Sequence, residues 1–155
     1  MEDVCYTQEA ALERAIQIEA KRFEGFKSGY FMARDRVVKD LIRDLALDAL
    51  KHKYTLEKAF FEDIVHLHDS GGKEGPSMKF SLLFEERPLK ADASEQEVMI
   101  YAIHETKHAV DFYDSMAQQC MSAPMGNMFR GLADDEKGHL ARLEEFYESR
   151  FLKDM

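Results

Sequence analysis

Glu136 and His139 stand three positions apart, a spacing that puts both side chains on one face of an α-helix. Leu132 precedes them and Leu140 and Leu143 follow on the same stripe, which turns both polar groups inward. Glu19 sits likewise between Ile16 and Phe23, and Glu105 between Ala102 and Phe112. A bare carboxylate buried in an apolar stripe is costly unless it is paired or bound to a cation. Few basic residues occupy matching stripe positions, which leaves a divalent metal as the economical partner. Carboxylate oxygens together with imidazole nitrogens suit iron, manganese or zinc, whereas magnesium and calcium prefer oxygen alone.

These residues belong to a loose internal repeat. The stretch from Ala15 to Phe26 recurs as Tyr101 to Phe112, and Leu45 to His52 recurs as Leu132 to His139. Glu19 precedes His52 by 33 positions and Glu105 precedes His139 by 34. Each half thus offers a carboxylate on one helical segment and a histidine on the next. Two helical hairpins facing each other across a shared site are the expected consequence.

The elements that must position the site read as four helices. Thr7 caps a first helix over 8–33, with Leu12, Ile16, Phe23, Phe26 and Tyr30 on one stripe. A second helix over 36–68 carries Val38, Leu41, Leu45, Leu56 and Phe60 inward, and ends before Ser70-Gly71-Gly72. Ser94 with Glu97 forms a capping-box signature for a third helix over 95–119. Ser122 and Pro124 open a fourth over 123–151, with Leu132, Leu140, Leu143 and Tyr147 inside. The connections are short except between helices two and three. An all-α, ferritin-like four-helix bundle needs one long crossover at that place.

The segments Ala15 to Phe26, Tyr101 to Tyr113 and Leu132 to Leu140 resemble the rubrerythrin-like branch of the ferritin-like superfamily, over essentially the whole chain. The resemblance implies two irons, held by a glutamate on each of helices one and three and a Glu-x-x-His on each of helices two and four. Carried over, it implies Glu19, Glu105, Glu136, His139 and His52 as ligands. One glutamate is missing, because Ala49 stands three before His52. Asp48 is adjacent but about 100° away around the helix; it is either a substitute or a group behind the ligands or at the surface. His108 shares a face with Glu105 and is either the missing ligand or a core histidine donating to a carboxylate. A dinuclear site, a single metal (iron, zinc or manganese) and a relic remain alternatives. Tyr30, Tyr101 and Tyr113 are either hydrogen-bond donors or radical relays near the site or core residues, and His66 and His68 at the end of helix two either bind a surface metal or complement its dipole.

Composition sets the remaining bounds. With 155 residues, 45% hydrophobic and 33% charged, the chain reads as a single globular domain over 1–155. A net charge of −9 argues against nucleic acid or anionic membrane as partner. No apolar run approaches a membrane span, and Met1-Glu2-Asp3 begins no signal peptide. Cys5 and Cys120 form no CxxC pair, so a cytoplasmic protein with reduced thiols is expected. Reduction of peroxide or dioxygen, the activity the resemblance implies, would then draw electrons from a separate donor protein. Iron binding, storage or sensing without turnover is the second reading, and a bundle without metal the third. A homodimer is expected of this architecture, although no residue specifies it.

Overall fold

The structure, a computed structural model, describes residues 8–67, 89–120 and 123–152, with side chains omitted at 8, 63–67, 123 and 124. Four helices follow one another: α1 (Gln8–Met32), α2 (Arg36–Leu67), α3 (Glu95–Gln119) and α4 (Ala123–Tyr147), the last running into a π-helical turn, Glu148–Leu152. The described residues contain no strand. α1 packs mainly on α2 and α3 mainly on α4, so two hairpins face each other. The long connection lies between Leu67 and Glu95, where a ferritin-like bundle requires it. Thr7, His68 and Ser122, and the side chain of His66, fall outside the described residues.

Local chemistry explains the helix starts. Ser94 Oγ accepts from the Glu97 N–H at 3.1 Å while the Glu97 carboxylate accepts from the Ser94 N–H at 2.8 Å. The predicted capping box is thus formed, and two amide donors that α3 cannot satisfy internally find partners. Asp35 does the same for α2, accepting from the N–H groups of Val37 and Val38 at 2.8 and 3.2 Å. Glu95, in the first turn of α3, accepts from the N–H groups of Arg34 and Asp35 at 2.8 and 3.1 Å. The turn between α1 and α2 is thereby fastened to the start of α3.

The core is divided. One apolar half gathers Leu12, Leu56, Phe112, Met116 and Phe129; the other gathers Phe26, Ile42, Leu45, Met99 and Leu143. On every helix the buried polar residues fall between these two sets: Glu19 and Arg22 on α1, His52 on α2, Thr106 on α3 and Glu136 on α4. Each fully buried aliphatic or aromatic side chain contributes about 1.5–3 kcal/mol, and the two apolar halves clamp a polar layer between them. Ala49, where the repeat would place a second-helix glutamate, is fully buried against the apolar side.

One expectation is corrected. Cys120, buried at the end of α3, is disulfide-bonded and is not a reduced thiol. The other cysteine, Cys5, lies outside the described residues.

Candidate metal centre

Glu19 and Arg22 are one helical turn apart on α1, so they share one face of the helix. Arg22 Nη1 donates to Glu19 Oε1 at 3.0 Å and to Glu136 Oε2 at 2.9 Å, and Nη2 donates to Glu136 Oε1 at 3.0 Å. The guanidinium fork therefore grips Glu136 with both arms while one arm also holds Glu19. Tyr113 on α3 donates its phenol to Glu19 Oε2 at 2.5 Å. His52 Nδ1 lies 3.1 Å from Glu136 Oε2 and 3.5 Å from Glu19 Oε2. It is nonetheless off the axis of a hydrogen bond to either. On the other side of the ring, Nε2 is 3.3 Å from Asp135 and 3.8 Å from Asp48.

Electrostatics follow from that packing. Burial opposes the charge on His52, but Glu136 and Glu19 outweigh it and raise its pKa to about 10, so the ring is protonated at neutral pH. Burial likewise opposes the charge on Glu136, yet Arg22 and His52 outweigh it and bring its pKa down to about 2. Arg22 is held still more firmly charged, burial being outweighed by Glu136 and Glu19. Burial, with the Glu19 charge beside it, pushes the Tyr113 phenol well up, so it stays a donor. Two carboxylates thus meet two cations. The buried layer is neutral by itself.

The structure brings together only part of the expected set. Glu19, His52 and Glu136 converge, each offering one ligand atom within 4.8 Å of the others. Glu105 is half-buried at the flank of α3, and its neighbour Thr106 takes the fully buried position. The expected phase of α3 is off by one residue there. The buried stripe runs Met99, Ala102, Thr106, Ala109, Tyr113, and the bounding residues Ala102 and Phe112 did not resolve one from the other. His108, partly buried on α3, stands outside the converging group, with its ring 6.4 Å from that of His104. His139 is also outside the group and pairs with Asp48 across the helix boundary. Asp48 and Asp135, equivalent in the repeat, thus exchange partners: each faces the histidine of the opposite helix.

Arg22 is the residue that sequence reasoning missed. Its signal was present, since Glu19-x-x-Arg22 repeats as Glu105-x-x-His108, a basic residue one turn after an acidic one in both halves. Tyr113, one of the three tyrosines considered, is placed on a site carboxylate.

An ion would fit the converging atoms in one respect and meet resistance in another. Tetrahedral coordination with bonds of about 2.1 Å sets neighbouring ligand atoms roughly 3.4 Å apart. The His52 nitrogen stands 3.1 and 3.5 Å from the two carboxylate oxygens. With Nε2 turned to Asp135 and Asp48, the ring has the carboxylate backing that metal-ligating histidines use. A second ion finds no such set among the described residues, because Ala49 supplies no donor and His139 is turned to Asp48. Arg22 engages one of the oxygens the first ion would need, Glu136 Oε2, and Tyr113 engages the other, Glu19 Oε2.

Comparison with known proteins agrees with the architecture. No curated protein and no solved structure gave a match. The family model described as Rubrerythrin matches residues 10–147, which takes in nearly the whole of all four helices. The chain belongs to the rubrerythrin family, within the ferritin-like di-iron superfamily.

Proposed function

We propose that this protein binds one iron ion per chain between Glu19, His52 and Glu136, and that it handles iron by reversible binding, as in storage, transfer or sensing. The observation that carries the reading is the set of three buried ligand atoms from three helices, mutually within 4.8 Å. Family membership supports iron as the ion. Ala49 supports one ion over two, since no carboxylate stands where a bridging glutamate would.

Reduction of peroxide or dioxygen with electrons from a separate donor protein is the second reading, favoured by the family match. Peroxide needs two electrons to become water, and one ferrous ion supplies one. A single-ion site must therefore draw the other electron from a partner or from a second bound ion.

Anaerobic titration with ferrous iron, followed by peroxide, separates the readings. One ion per chain, lost in H52A and inert or sluggish toward peroxide, supports iron handling. Two ions per chain oxidised stoichiometrically by peroxide support the enzyme. Absence of bound iron in the wild-type chain sinks both and leaves a bundle without metal.

A further inference from the structure

We infer that Arg22 is a resident counter-ion that keeps the iron position closed, and that a divalent ion enters only by displacing its guanidinium from Glu19 and Glu136. The inference rests on the single-ion reading and adds its regulation.

Geometry and charge both point this way. All four carboxylate oxygens of the buried pair already receive a partner. Arg22 takes Glu19 Oε1 and both oxygens of Glu136, and Tyr113 takes Glu19 Oε2. The oxygens of Glu19 and Glu136 nearest His52 Nδ1 are those the ion would use, and Arg22 Nη1 already lies 2.9 Å from the second of them. A divalent ion added beside a retained guanidinium would set three positive charges against the two carboxylates in a dry interior. Displacement of Arg22 removes the excess charge.

The fit of Arg22 is itself imperfect, which makes it displaceable. Its Nε is buried and donates to nothing among the described residues. A buried donor left unmade costs about 1–3 kcal/mol, so the guanidinium holds the carboxylates without satisfying all of its own hydrogen-bonding groups. Its place on the repeat is equally telling, because the counterpart position in the second half is His108, a residue that can shed its charge. Arg22 cannot.

The test compares R22Q with the wild-type chain by competitive titration of Mn(II) against a fluorescent chelator, and by melting with Mn(II) or with EDTA. The wild-type chain is expected to bind weakly and to melt at the same temperature with or without chelator. R22Q is expected to bind at least about tenfold more tightly, since a unit charge a few ångströms away no longer opposes the ion, and to melt lower without the ion and higher with it. Should R22Q be unfolded in EDTA, recovery of the fold on adding Mn(II) supports the inference, because the ion then replaces the guanidinium. Equal affinity in the two proteins overturns the role of Arg22 while leaving the iron site intact. A folded R22Q that binds no Mn(II) overturns the site and the inference together. An R22Q chain that stays unfolded with or without Mn(II) overturns the inference.

Discussion

Glu136 on α4 receives both terminal nitrogens of Arg22 from α1, at 2.9 and 3.0 Å, with both side chains almost wholly buried. Removing one partner strands the other as a buried charge. E136Q is expected to destabilise the protein by about 3–5 kcal/mol, read as a lower urea midpoint with an unchanged slope. The double variant R22M/E136L, which removes both charges, is expected to recover most of that loss, since a buried ion pair replaced by apolar groups of similar volume is often neutral or better. A double variant no more stable than E136Q would show that the loss does not come from stranding Arg22 as an uncompensated charge.

That pairing also shows where the sequence was readable and where it was not. Ser94 and Glu97 announce the start of α3 because a capping box is local chemistry, complete within four residues. Glu19 and Glu136 are legible as inward because hydrophobic neighbours one turn away fix their phase. Glu105 was misplaced by one position for the same reason, as Ala102 and Phe112 flank a stripe whose centre is Thr106. Arg22 and the exchange of partners between Asp48 and Asp135 depend on how the hairpins meet. No periodicity within one helix encodes a contact between two.

Tyr113 reaches Glu19 from α3 with its phenol buried among Phe112, Met116 and Phe129. Y113F keeps the ring and removes the donor. The expected cost is about 1–3 kcal/mol, the range for a buried charged acceptor that loses a partner. Chemical denaturation of Y113F beside the wild-type chain checks it, and a change within error would mean that Glu19 is satisfied without the phenol, by Arg22.

The pH dependence of the metal-free protein follows from two shifts of opposite sign. Glu136 falls from 4.5 to about 2, so its contribution is fully present above pH 4.5 and is lost as pH falls through about 2. His52 rises from 6.5 to about 10, so its contribution is fully present below pH 6.5 and is lost as pH rises through about 10. Together the two groups predict a plateau of stability between pH 4.5 and 6.5 in EDTA, with a decline on either side. H52Q is expected to flatten the alkaline limb while leaving the acid limb in place. Thermal melts across the range decide it, and an alkaline limb unchanged in H52Q would assign that loss to other groups.

Two glycines make opposite predictions for the same substitution. A Cβ built on Gly25 in α1 would collide with the Tyr101 hydroxyl and stand 2.9 Å from its ring carbon. The phenol ring is stiff and belongs to the packed α1–α3 contact, where Phe26 meets it edge-on with centroids 6.2 Å apart. G25A is therefore expected to destabilise by about 1–3 kcal/mol, the usual cost of overpacking. Gly138 in α4 is exposed, and its added Cβ would meet nothing within 4 Å. There the helix bears the backbone entropy of glycine without any packing reason for it, so G138A is expected to stabilise by about 0.5–1 kcal/mol. The pair separates close helix approach from mere tolerance of glycine. If G25A raised the melting temperature as G138A is expected to, the tight passage of α1 past Tyr101 would not be a feature of the folded protein.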